Sequence, residues 1–466
     1  MNSAVIGGGL AGSEAAWQLA ERGVSVKLFE MRPVRMPPAH STGNLGELVC
    51  SNSLGADRPT SPAGILKQEL RRLGSLIMRC ADMSRVPAGR ALAVDRDLFS
   101  SLVTREISRH PNIELIRSET DVIPDLPAIV AAGPLMAGGI ADAVREIVGE
   151  GCLSFFDAAA PITTLESIDT DRAYMASRYG EGSDYINCPM DRELYEAFWW
   201  ELVNAERVPL RDIDREGRAS DEKTDTCPEV PGRFFEGCLP IEVMAERGID
   251  TLRFGPMRPV GLPHPSTGRE PYAVVQLRRD NAEGTLYNIV GFQTNLKWPE
   301  QERVFRMIPA LEKAEFVRKG VMHRNSFVCA PRVLDCHLRP VKNQKTVRLD
   351  LHLAGQITGV EGYVESSATG LVAAIQLFHT LKGDEPPRWP DETAIGSLLN
   401  YLQSAEAGTF QPMNVNIGIF PKIETPPGHG RRKKIGKPER SMLYAERSRE
   451  ALEKFLERET AVLTRR

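Results

Sequence analysis

Two cysteines, Cys50 and Cys238, lie in turn-like stretches of small or polar residues rather than in periodic apolar segments. A cysteine thiolate is a strong nucleophile when its pKa is lowered and its sulfur is accessible. Both residues are therefore candidate catalytic groups. The alternative is that each is a small buried hydrophobe, the commonest role of a free cysteine. We assign that structural role to the other cysteines, which are Cys80, Cys152, Cys188, Cys227, Cys329 and Cys336.

A glycine-rich turn near the start of the chain forms a second group of candidate residues. It follows an apolar strand pattern at 4–6 and precedes a helical pattern at 13–22, and the next strand pattern ends at Glu30. This order is typical of a dinucleotide site, where the helix N-terminus faces the pyrophosphate and the acid accepts a hydrogen bond from a ribose hydroxyl. The alternative is a glycine turn without a ligand. The predicted cofactor-binding residues of the turn are Gly7, Gly8, Gly9, Leu10, Ala11 and Gly12.

A second glycine-rich turn, late in the chain, favours FAD over NAD as the dinucleotide. Gly355, Gln356 and Gly362 lie between a buried-strand pattern at 351–354 and a helical pattern at 366–381. That helix would direct another positive N-terminus into the site, where it can stabilise the anionic reduced flavin. The alternative is an ordinary strand–helix turn of the sheet.

A thiolate beside a flavin suits one reaction in particular, the methylation of a pyrimidine at C5. The C5 carbon becomes nucleophilic only after a thiolate has added to C6, and the enolate then attacks a one-carbon electrophile. A second group removes the C5 proton, and a reduced flavin can convert the exocyclic methylene to methyl.

Three apolar strand patterns, at 4–6, 128–130 and 351–354, predict one parallel sheet. The fold class is α/β, with an FAD-binding Rossmann-like (glutathione-reductase-type) domain and an inserted α+β domain. Because ligands bind at the carboxyl ends of parallel strands, the turns at Gly133 and Gly355 are expected beside the first glycine turn. The predicted divisions are 1–150 for the first part of the FAD-binding domain, 151–330 for the inserted substrate or RNA domain, 331–430 for the return part and 431–466 for a basic C-terminal segment.

The composition limits the class of protein. Lys and Arg number 58 against 62 Asp and Glu, so charge by itself does not indicate nucleic-acid binding. The eight cysteines show no CxxC spacing, which predicts reduced thiols and no metal site. The first strand pattern begins almost at Met1 and no apolar run approaches about 18 residues, so we expect a cytoplasmic protein without a signal peptide or a membrane span.

The C-terminal segment, residues 431–466, carries twelve Lys or Arg against six Glu. One interpretation is a solvated helix with Glu–Lys and Glu–Arg pairs. The other is a surface that contacts a phosphate backbone, since clustered cations release counterions from nucleic acid.

Long sequence blocks, besides the first glycine turn, are specific enough to identify a family. They span residues 47–53, 235–242, 251–257, 291–294, 320–325, 354–363 and 410–414. On these blocks the chain resembles, over nearly its whole length, the folate- and FAD-dependent tRNA (uracil-5-)-methyltransferases.

The resemblance implies a flavoprotein that takes a methylene group from methylenetetrahydrofolate, reduces it with FADH2 and forms 5-methyluridine in the T loop of tRNA. NADH or NADPH would reload the flavin. The resemblance also implies that Cys238 is the nucleophile on uracil, and that Cys50 handles the C5 proton or protects the flavin intermediate. Asn295 and His323 are the candidate folate contacts. The oligomeric state stays open.

The chain departs from the family pattern at a few positions. Leu54–Asp57 lacks the usual arginine, Arg90 stands where glycine is common, and Cys329–Pro331 replaces an Asn-Ser-Pro type of sequence. Asn295 occupies a position that is histidine in some members. These departures concern substrate contacts rather than the chemistry, because both cysteine blocks are intact.

Other functions remain open at this point. One is a relative that acts on ribosomal RNA, and another resembles the larger flavoprotein that modifies wobble uridine with a GTPase partner, although this chain ends too soon for the helical domain of that group. A third is a small-molecule FAD and NAD(P)H oxidoreductase in which both cysteines are structural. A fourth is a flavin-stabilised RNA-binding protein without turnover.

Overall fold

The structure is a computed structural model that describes residues 1–37, 39–136, 138–149, 152–209, 229–234, 239–423 and 436–464. Its strands are β1 (Asn2–Ile6), β2 (Ser25–Phe29), β3 (Ser53–Ala56), β4 (Arg85–Val86), β5 (Ala91–Val94), β6 (Ile113–Ile116), β7 (Ala128–Val130), β8 (Cys152–Ala158), β9 (Ile162–Thr164), β10 (Tyr174–Met175), β11 (Tyr185–Met190), β12 (Glu229–Phe234), β13 (Ala273–Arg279), β14 (Leu286–Ile289), β15 (Phe316–Arg318), β16 (Met322–Val328), β17 (Val341–Lys342), β18 (Lys345–Thr346) and β19 (Leu351–Leu353).

The helices are α1 (Leu10–Glu21), α2 (Pro62–Arg72), α3 (Leu76–Met83), α4 (Arg96–Arg109), α5 (Gly138–Val148), α6 (Arg192–Asn204), α7 (Ile241–Glu246), α8 (Thr251–Phe254), α9 (Trp298–Phe305), α10 (Ala330–Val333), α11 (Tyr363–Lys382), α12 (Ala394–Ser404) and α13 (Lys437–Thr464). None of them, within the described ranges, combines the length and the apolarity needed to cross a bilayer.

The parallel sheet has the order β19-β7-β1-β2-β6. Ala4 is in register with Ala128, and Ala128 is in register with Leu351, so the three predicted strand patterns do lie side by side. The strands β1, β7 and β19 are apolar and almost fully buried because helices cover them. The sheet brings the turns after its strands to one edge, as expected.

A second sheet is antiparallel and has the order β10-β11-β13-β14-β9-β15. Its central strand β13 is buried in all but its last residue. Helices α6 and α9 contribute to a separate core on this sheet, in which the rings of Phe292 and Phe305 lie 5.4 Å apart in an edge-to-face arrangement. This is the predicted inserted α+β unit.

A small sheet of order β12-β8-β16 lies where the chain enters and leaves the inserted unit. Strand β8 follows α5 and leads to β9, whereas β16 follows β15 and leads back toward β19. The two strands pair antiparallel from Val328–Cys152 to Met322–Ala158. This pairing holds together the two chain segments that connect the large sheets.

One face of the helix α13 packs on the unit that is built around the parallel sheet. Tyr444, Leu452 and Phe455 are buried there, and the Phe455 ring stacks on Trp389 with 4.6 Å between centroids. The basic C-terminal segment is thus largely a docked helix, while residues 431–435 and 465–466 lie outside the described part of the chain.

Candidate functional site

The first glycine turn has a geometry that fits a dinucleotide. Gly7 has φ +100°, a conformation that favours glycine, and an added Cβ on Gly12 would overlap the carbonyl oxygen of Gly7. Leu10 and Ala11 form the buried first residues of α1. An added Cβ on Gly9 would meet no protein atom within 4 Å, so the turn is open on the face that a pyrophosphate would approach.

Glu30 lies directly beside this turn. One of its carboxylate oxygens accepts the backbone N–H of Gly8 at 2.7 Å, and the other accepts Nε of Arg32 at 2.8 Å. Burial alone would raise the pKa of Glu30, but the hydrogen bonds and charge of Arg32 outweigh burial and lower it. The backbone N–H of Arg32 at 3.0 Å and its Nη2 at 3.2 Å also donate to this carboxylate, so all four of its acceptor positions are used. The predicted ribose hydroxyl would have to share or replace one of these bonds.

A groove opens from the turn toward the ends of β2 and β6. The lining of this solvent-open groove includes Gly7, Glu30, Ser118, Thr120 and Ala132. The residues after β6 were not predicted as part of the site, because a short strand of alternating character carries no dinucleotide signal. The groove adds room for the nucleoside end of the cofactor.

Arg32 connects the turn to the loop that carries Cys50. Its guanidinium reaches Glu30 at 2.8 Å and Glu47 at 3.2 Å, and all three side chains are almost completely buried. Glu47 also accepts hydrogen bonds from the backbone and side chains of Ser41 and Thr42. The Cys50 loop is therefore fastened to the cofactor turn through one arginine.

Three further side chains hold the backbone of the Cys50 loop. Tyr363 Oη accepts the N–H of Cys50 at 2.8 Å and that of Ser51 at 3.2 Å. Arg96 donates to the carbonyl of Leu48 at 2.9 Å, and Arg318 donates to the carbonyl of Val49 at 2.6 Å. The loop is therefore held by one residue each of α4, β15 and α11.

Cys50 itself is half-buried, and its Sγ lies 3.5 Å from the carbonyl oxygen of Ala158 at the end of β8. The next carbonyl along the chain, that of Ala159, accepts the N–H of Thr294 at 3.3 Å. One short backbone segment thus contacts the Cys50 loop on one side and the Thr294–Asn295 segment on the other.

The second glycine turn leads into α11 beside the Cys50 loop. Gly355 lies against Ala11 of α1, and Gln356 donates a 2.6 Å hydrogen bond to Glu361. Gly362 has φ +113°, and an added Cβ would overlap the carboxylate of Glu365. The N-terminus of α11 therefore does point to the edge of the parallel sheet where the first turn lies.

Cys238 lies outside the described residues, so its predicted role stays a prediction. The residues just after it are described: the N–H of Ile241 donates to the carbonyl of Gln293 at 2.7 Å. The buried carboxylate of Glu242 accepts the N–H of Asn295 at 2.7 Å and the hydroxyl of Thr294 at 2.9 Å. The Cys238 block is attached to the segment that contains Asn295.

Asn295 has a structural partner in addition to Glu242. Its side-chain amide donates to the carbonyl of Val208 at 2.9 Å, and the residue is 7% exposed. This arrangement fixes the segment and leaves the folate contact of Asn295 as a prediction.

His323 begins the pairing of β16 with the end of β8 and faces a buried, polar region. Burial lowers its pKa to about 4, and the nearby charge of Arg318 acts in the same direction. Its Nε2 and the Nδ1 of His40 are buried and have no hydrogen-bond partner in the described part of the chain. Burial likewise lowers the pKa of His40 to about 4, with Arg32 and His323 contributing. Buried polar atoms without partners fit a site that a polar cofactor or substrate completes.

The described structure brings together most of the predicted residues. Cys50, the two glycine turns and Glu30 share one edge of the parallel sheet, and Asn295 joins them through Ala159. The sequence did not predict the residues that hold the Cys50 loop, which are Arg32, Arg96, Arg318 and Tyr363. Nor did it predict His40, whose Nδ1 is buried. The partners of Arg96, Arg318 and Tyr363 are far away in the sequence, and no local pattern marks these residues.

Known proteins match this chain closely. A family model described as Glucose inhibited division protein A matches residues 2–385. The Methylenetetrahydrofolate--tRNA-(uracil-5-)-methyltransferase TrmFO of Natranaerobius thermophilus is 53% identical over 460 residues, which is 98% of this chain and 100% of the relative. The TrmFO of Moorella thermoacetica is 56% identical over 422 residues, covering 90% of this chain and 92% of the relative. The chain belongs to the TrmFO family.

Solved structures support the fold of this TrmFO-family chain. GidA of Aquifex aeolicus superposes with a TM-score of 0.64 in its form I crystal, at 17% identity, with 97% of this chain and 76% of GidA covered. Its form II crystal gives a TM-score of 0.63 at 16% identity, covering 89% of this chain and 68% of GidA. The predicted fold, an FAD-binding Rossmann-like α/β fold with an inserted α+β domain, is confirmed.

Proposed function

We propose that this protein is a flavin-dependent tRNA methyltransferase that forms 5-methyluridine with methylenetetrahydrofolate as the one-carbon donor. The observation that carries the proposal is membership of the TrmFO family over nearly the whole chain. The site agrees with it, because a cysteine loop is fastened directly to a dinucleotide turn.

FAD is the cofactor, and the residues that would hold it are the two glycine turns and Glu30. The open face at Gly9 accepts the pyrophosphate, and Glu30 is placed for the ribose. Gly355, Gln356 and Gly362 lie at the start of α11, where the helix N-terminus favours negative charge. When bound and reduced, FAD supplies the electrons that convert a methylene group to methyl, and we propose that NADH or NADPH provides them.

Cys238 is proposed as the nucleophile that adds to C6 of uracil, and Cys50 as the group that removes the C5 proton. The described residues flanking Cys238 support a position near Cys50. Phe234 is paired with Phe156, two residues before the Ala158 carbonyl that contacts Cys50 Sγ, and Glu242 is fixed to Asn295. The described residues on either side, Phe234 and Ile241, are thus bound to backbone segments that neighbour the Cys50 loop.

Asn295 and His323 are proposed to contact the folate. The neutral imidazole of His323, with its unpartnered Nε2, can donate or accept one hydrogen bond to a pterin. The finer assignments, namely the T loop as the target and the cytoplasm as the location, belong to the same proposal.

A covalent trap tests the chemistry. The FAD-loaded protein is incubated with a T-arm minihelix that contains 5-fluorouracil at the target position, and the product is run on a denaturing gel. We expect a shifted protein–RNA band that disappears in Cys238→Ala and persists in Cys80→Ala, because Cys80 is a buried residue of α3. No band in the wild type, together with NAD(P)H oxidation that RNA does not affect, would favour a small-molecule oxidoreductase.

Mapping of 5-methyluridine tests the substrate. Total RNA from cells with and without the gene is digested and analysed by mass spectrometry, with tRNA and ribosomal RNA separated first. Loss of the modified base from the T loop of tRNA is the expected result. Loss from ribosomal RNA alone would show that the substrate has been assigned wrongly.

A further inference from the structure

The C-terminal helix α13 carries its charges in two separate rows. Arg440, Arg447 and Lys454 follow one another at intervals of seven residues, and Arg458 comes four residues later. Positions seven apart on an α-helix differ by only about 20° in direction, so these four cations share one side of the helix. We call this side the basic flank.

The acids lie on a different side. Five of them form a row in which each acid follows the one before it by three, four or seven residues. They are Glu439, Glu446, Glu450, Glu453 and Glu457. The buried face, with Tyr444, Leu452 and Phe455, lies opposite the acids and adjoins the basic flank. Three charged residues, Lys437, Arg449 and Glu459, lie outside both rows. In the described part of the chain, no ion pair joins two residues of α13.

Two acids of α13 form ion pairs with other helices. Glu453 pairs with Arg72 at 2.7 Å, and Glu459 pairs with His379 at 2.9 Å. Arg440, Lys454 and Arg458 are exposed and pair with no acid in the part of the chain that the structure describes. Lys454 and Arg458 are like charges four residues apart, an arrangement that weakens an isolated helix. Three of the four cations of the basic flank therefore take part in no ion pair that holds α13 in place.

Arg447 extends the basic flank to a neighbouring segment. Its guanidinium donates to the carbonyls of Pro421 at 2.5 Å and Lys422 at 3.3 Å. The exposed Lys422 side chain makes no ion pair with any described residue, so it adds a fifth cation beside the flank.

The same segment leads to the site around Cys50. The N–H of Val415 donates to Glu365 at 3.0 Å, and Glu365 lies in the first turn of α11, beside Gly362. Further along, Phe420 packs edge-to-face on Tyr444 of α13 with 5.6 Å between centroids. The other end of α11 meets the other end of α13 at the His379–Glu459 pair. The two helices thus run in the same direction, and the Arg440 end of the flank lies at the site end of α11.

We propose that the basic flank binds the phosphate backbone of the tRNA whose uridine is methylated in the Cys50 site. This inference rests on the proposed function. The 18 residues from Arg440 to Arg458 span about 27 Å, enough to follow several phosphates leading away from the target nucleotide. Unpaired cations in a row are the feature that a polyanion recognises, since each contact releases a bound counterion.

The test compares two triple variants of the FAD-loaded, full-length protein. Arg440→Gln/Lys454→Gln/Arg458→Gln removes the exposed charges of the basic flank, and Glu446→Gln/Glu450→Gln/Glu457→Gln removes three charges of the acidic row. Glutamine keeps a high helix propensity in both. Binding of unmodified tRNA transcript is measured by filter retention from 50 to 300 mM salt, and methylation is measured as kcat and KM.

We expect the basic-flank variant to raise Kd and KM for tRNA by about tenfold or more and to reduce the salt-dependence slope by about two. Its kcat, FAD content and rate of flavin reduction by NAD(P)H should stay within twofold of the wild type. The acidic-row variant should bind tRNA as well as the wild type or better.

The outcomes separate the two proposals. If the wild type methylates tRNA and the basic-flank variant keeps the wild-type KM and salt-dependence slope, this inference alone is overturned. A wild type that forms no 5-methyluridine in tRNA overturns the proposed function and this inference together. Equal weakening of tRNA binding by both triple variants would indicate damage to the helix. In that case the double variant Lys454→Gln/Arg458→Gln is tested. An unchanged tRNA affinity of this variant overturns the inference, and a weaker affinity supports it.

Discussion

The phenol oxygen of Tyr363 accepts the backbone N–H of Cys50 at 2.8 Å, although the two residues are 313 positions apart in the chain. Tyr363 is also the first residue of α11, so the helix that starts at the second glycine turn directly supports the cysteine loop. The orientation of the thiol therefore depends on the same element that points its N-terminus at the cofactor site.

Replacement of Tyr363 by phenylalanine tests this support. Tyr363→Phe removes the acceptor of two N–H groups, and each half-buried donor left without a partner costs about 1 kcal/mol or more of stability. We expect a looser loop, faster alkylation of Cys50 by iodoacetamide and a lower kcat for methylation. Tyr401→Phe is the control, because the Tyr401 hydroxyl donates to Gln411 rather than to the Cys50 loop. A wild-type alkylation rate and turnover in Tyr363→Phe would contradict the assigned role.

Two glycines of the first turn should respond differently to alanine. At Gly9 an added methyl group meets no protein atom, so Gly9→Ala should leave the melting temperature of the apoprotein unchanged while weakening FAD binding by about tenfold or more. At Gly12 the methyl group would overlap the backbone of Gly7, so Gly12→Ala should destabilise the apoprotein itself. Thermal unfolding of apoprotein and fluorescence titration with FAD distinguish the two effects. Equal behaviour of the two variants would show that the open face at Gly9 is not the side the cofactor occupies.

Loss of the Arg32 guanidinium should be costly because it leaves two buried carboxylates. Arg32→Gln is expected to lower the free energy of unfolding by about 3–5 kcal/mol at pH 7. Arg192→Gln breaks an exposed pair with Glu196 and should change the free energy of unfolding far less. Urea unfolding at pH 7 compares them.

The pH dependence of the Arg32 effect has a defined sign. In the wild type the pKa of Glu30 is lowered. Its ion pair with Arg32 therefore stabilises the fold above the ordinary carboxyl pKa, and this stabilisation is lost as the pH falls below that value. The difference in unfolding free energy between wild type and Arg32→Gln should accordingly shrink as the pH is lowered below the ordinary carboxyl value of 4.5. A difference that does not vary with pH would mean that the ionised form of Glu30 is not what Arg32 stabilises.

The buried histidines should make the apoprotein less stable in mild acid. The folded-state pKa of His323 is about 4, below its ordinary value near 6.5, so between these values the unfolded chain binds a proton that the folded chain excludes. Stability therefore falls as the pH drops from about 6.5 to 4. His323→Gln should reduce this fall by about 2 kcal/mol between pH 7 and pH 5, measured by urea unfolding. An unchanged pH dependence in His323→Gln would contradict the burial of a neutral imidazole.

Much of the first unit could be predicted from the sequence, because the signals are local. Residues 2–30 contain an apolar strand, a glycine turn, an alanine-rich helix and a second strand, and the structure has β1, α1 and β2 there with bounds shifted by only a few residues. The apolar patterns at 128–130 and 351–353 likewise became neighbouring strands, since strands buried on both faces read as continuous apolar runs.

The side-chain contacts that hold the site together could not be predicted in the same way. Arg318 reaches the carbonyl of Val49 across 269 positions, and neither residue type nor spacing distinguishes it from other arginines at the end of a strand. The burial that lowers the pKa of His323 is a property of the packed β8–β16 pair and is not visible in the residues around it. Tertiary packing, rather than local pattern, decides which polar side chains serve the site.

The chain Glu30–Arg32–Glu47 has a consequence for how the site is held together. A single guanidinium spans the cofactor turn and the Cys50 loop, so a displacement of either one is transmitted to the other. The position of the Cys50 thiol is therefore coupled mechanically to the position of the dinucleotide turn.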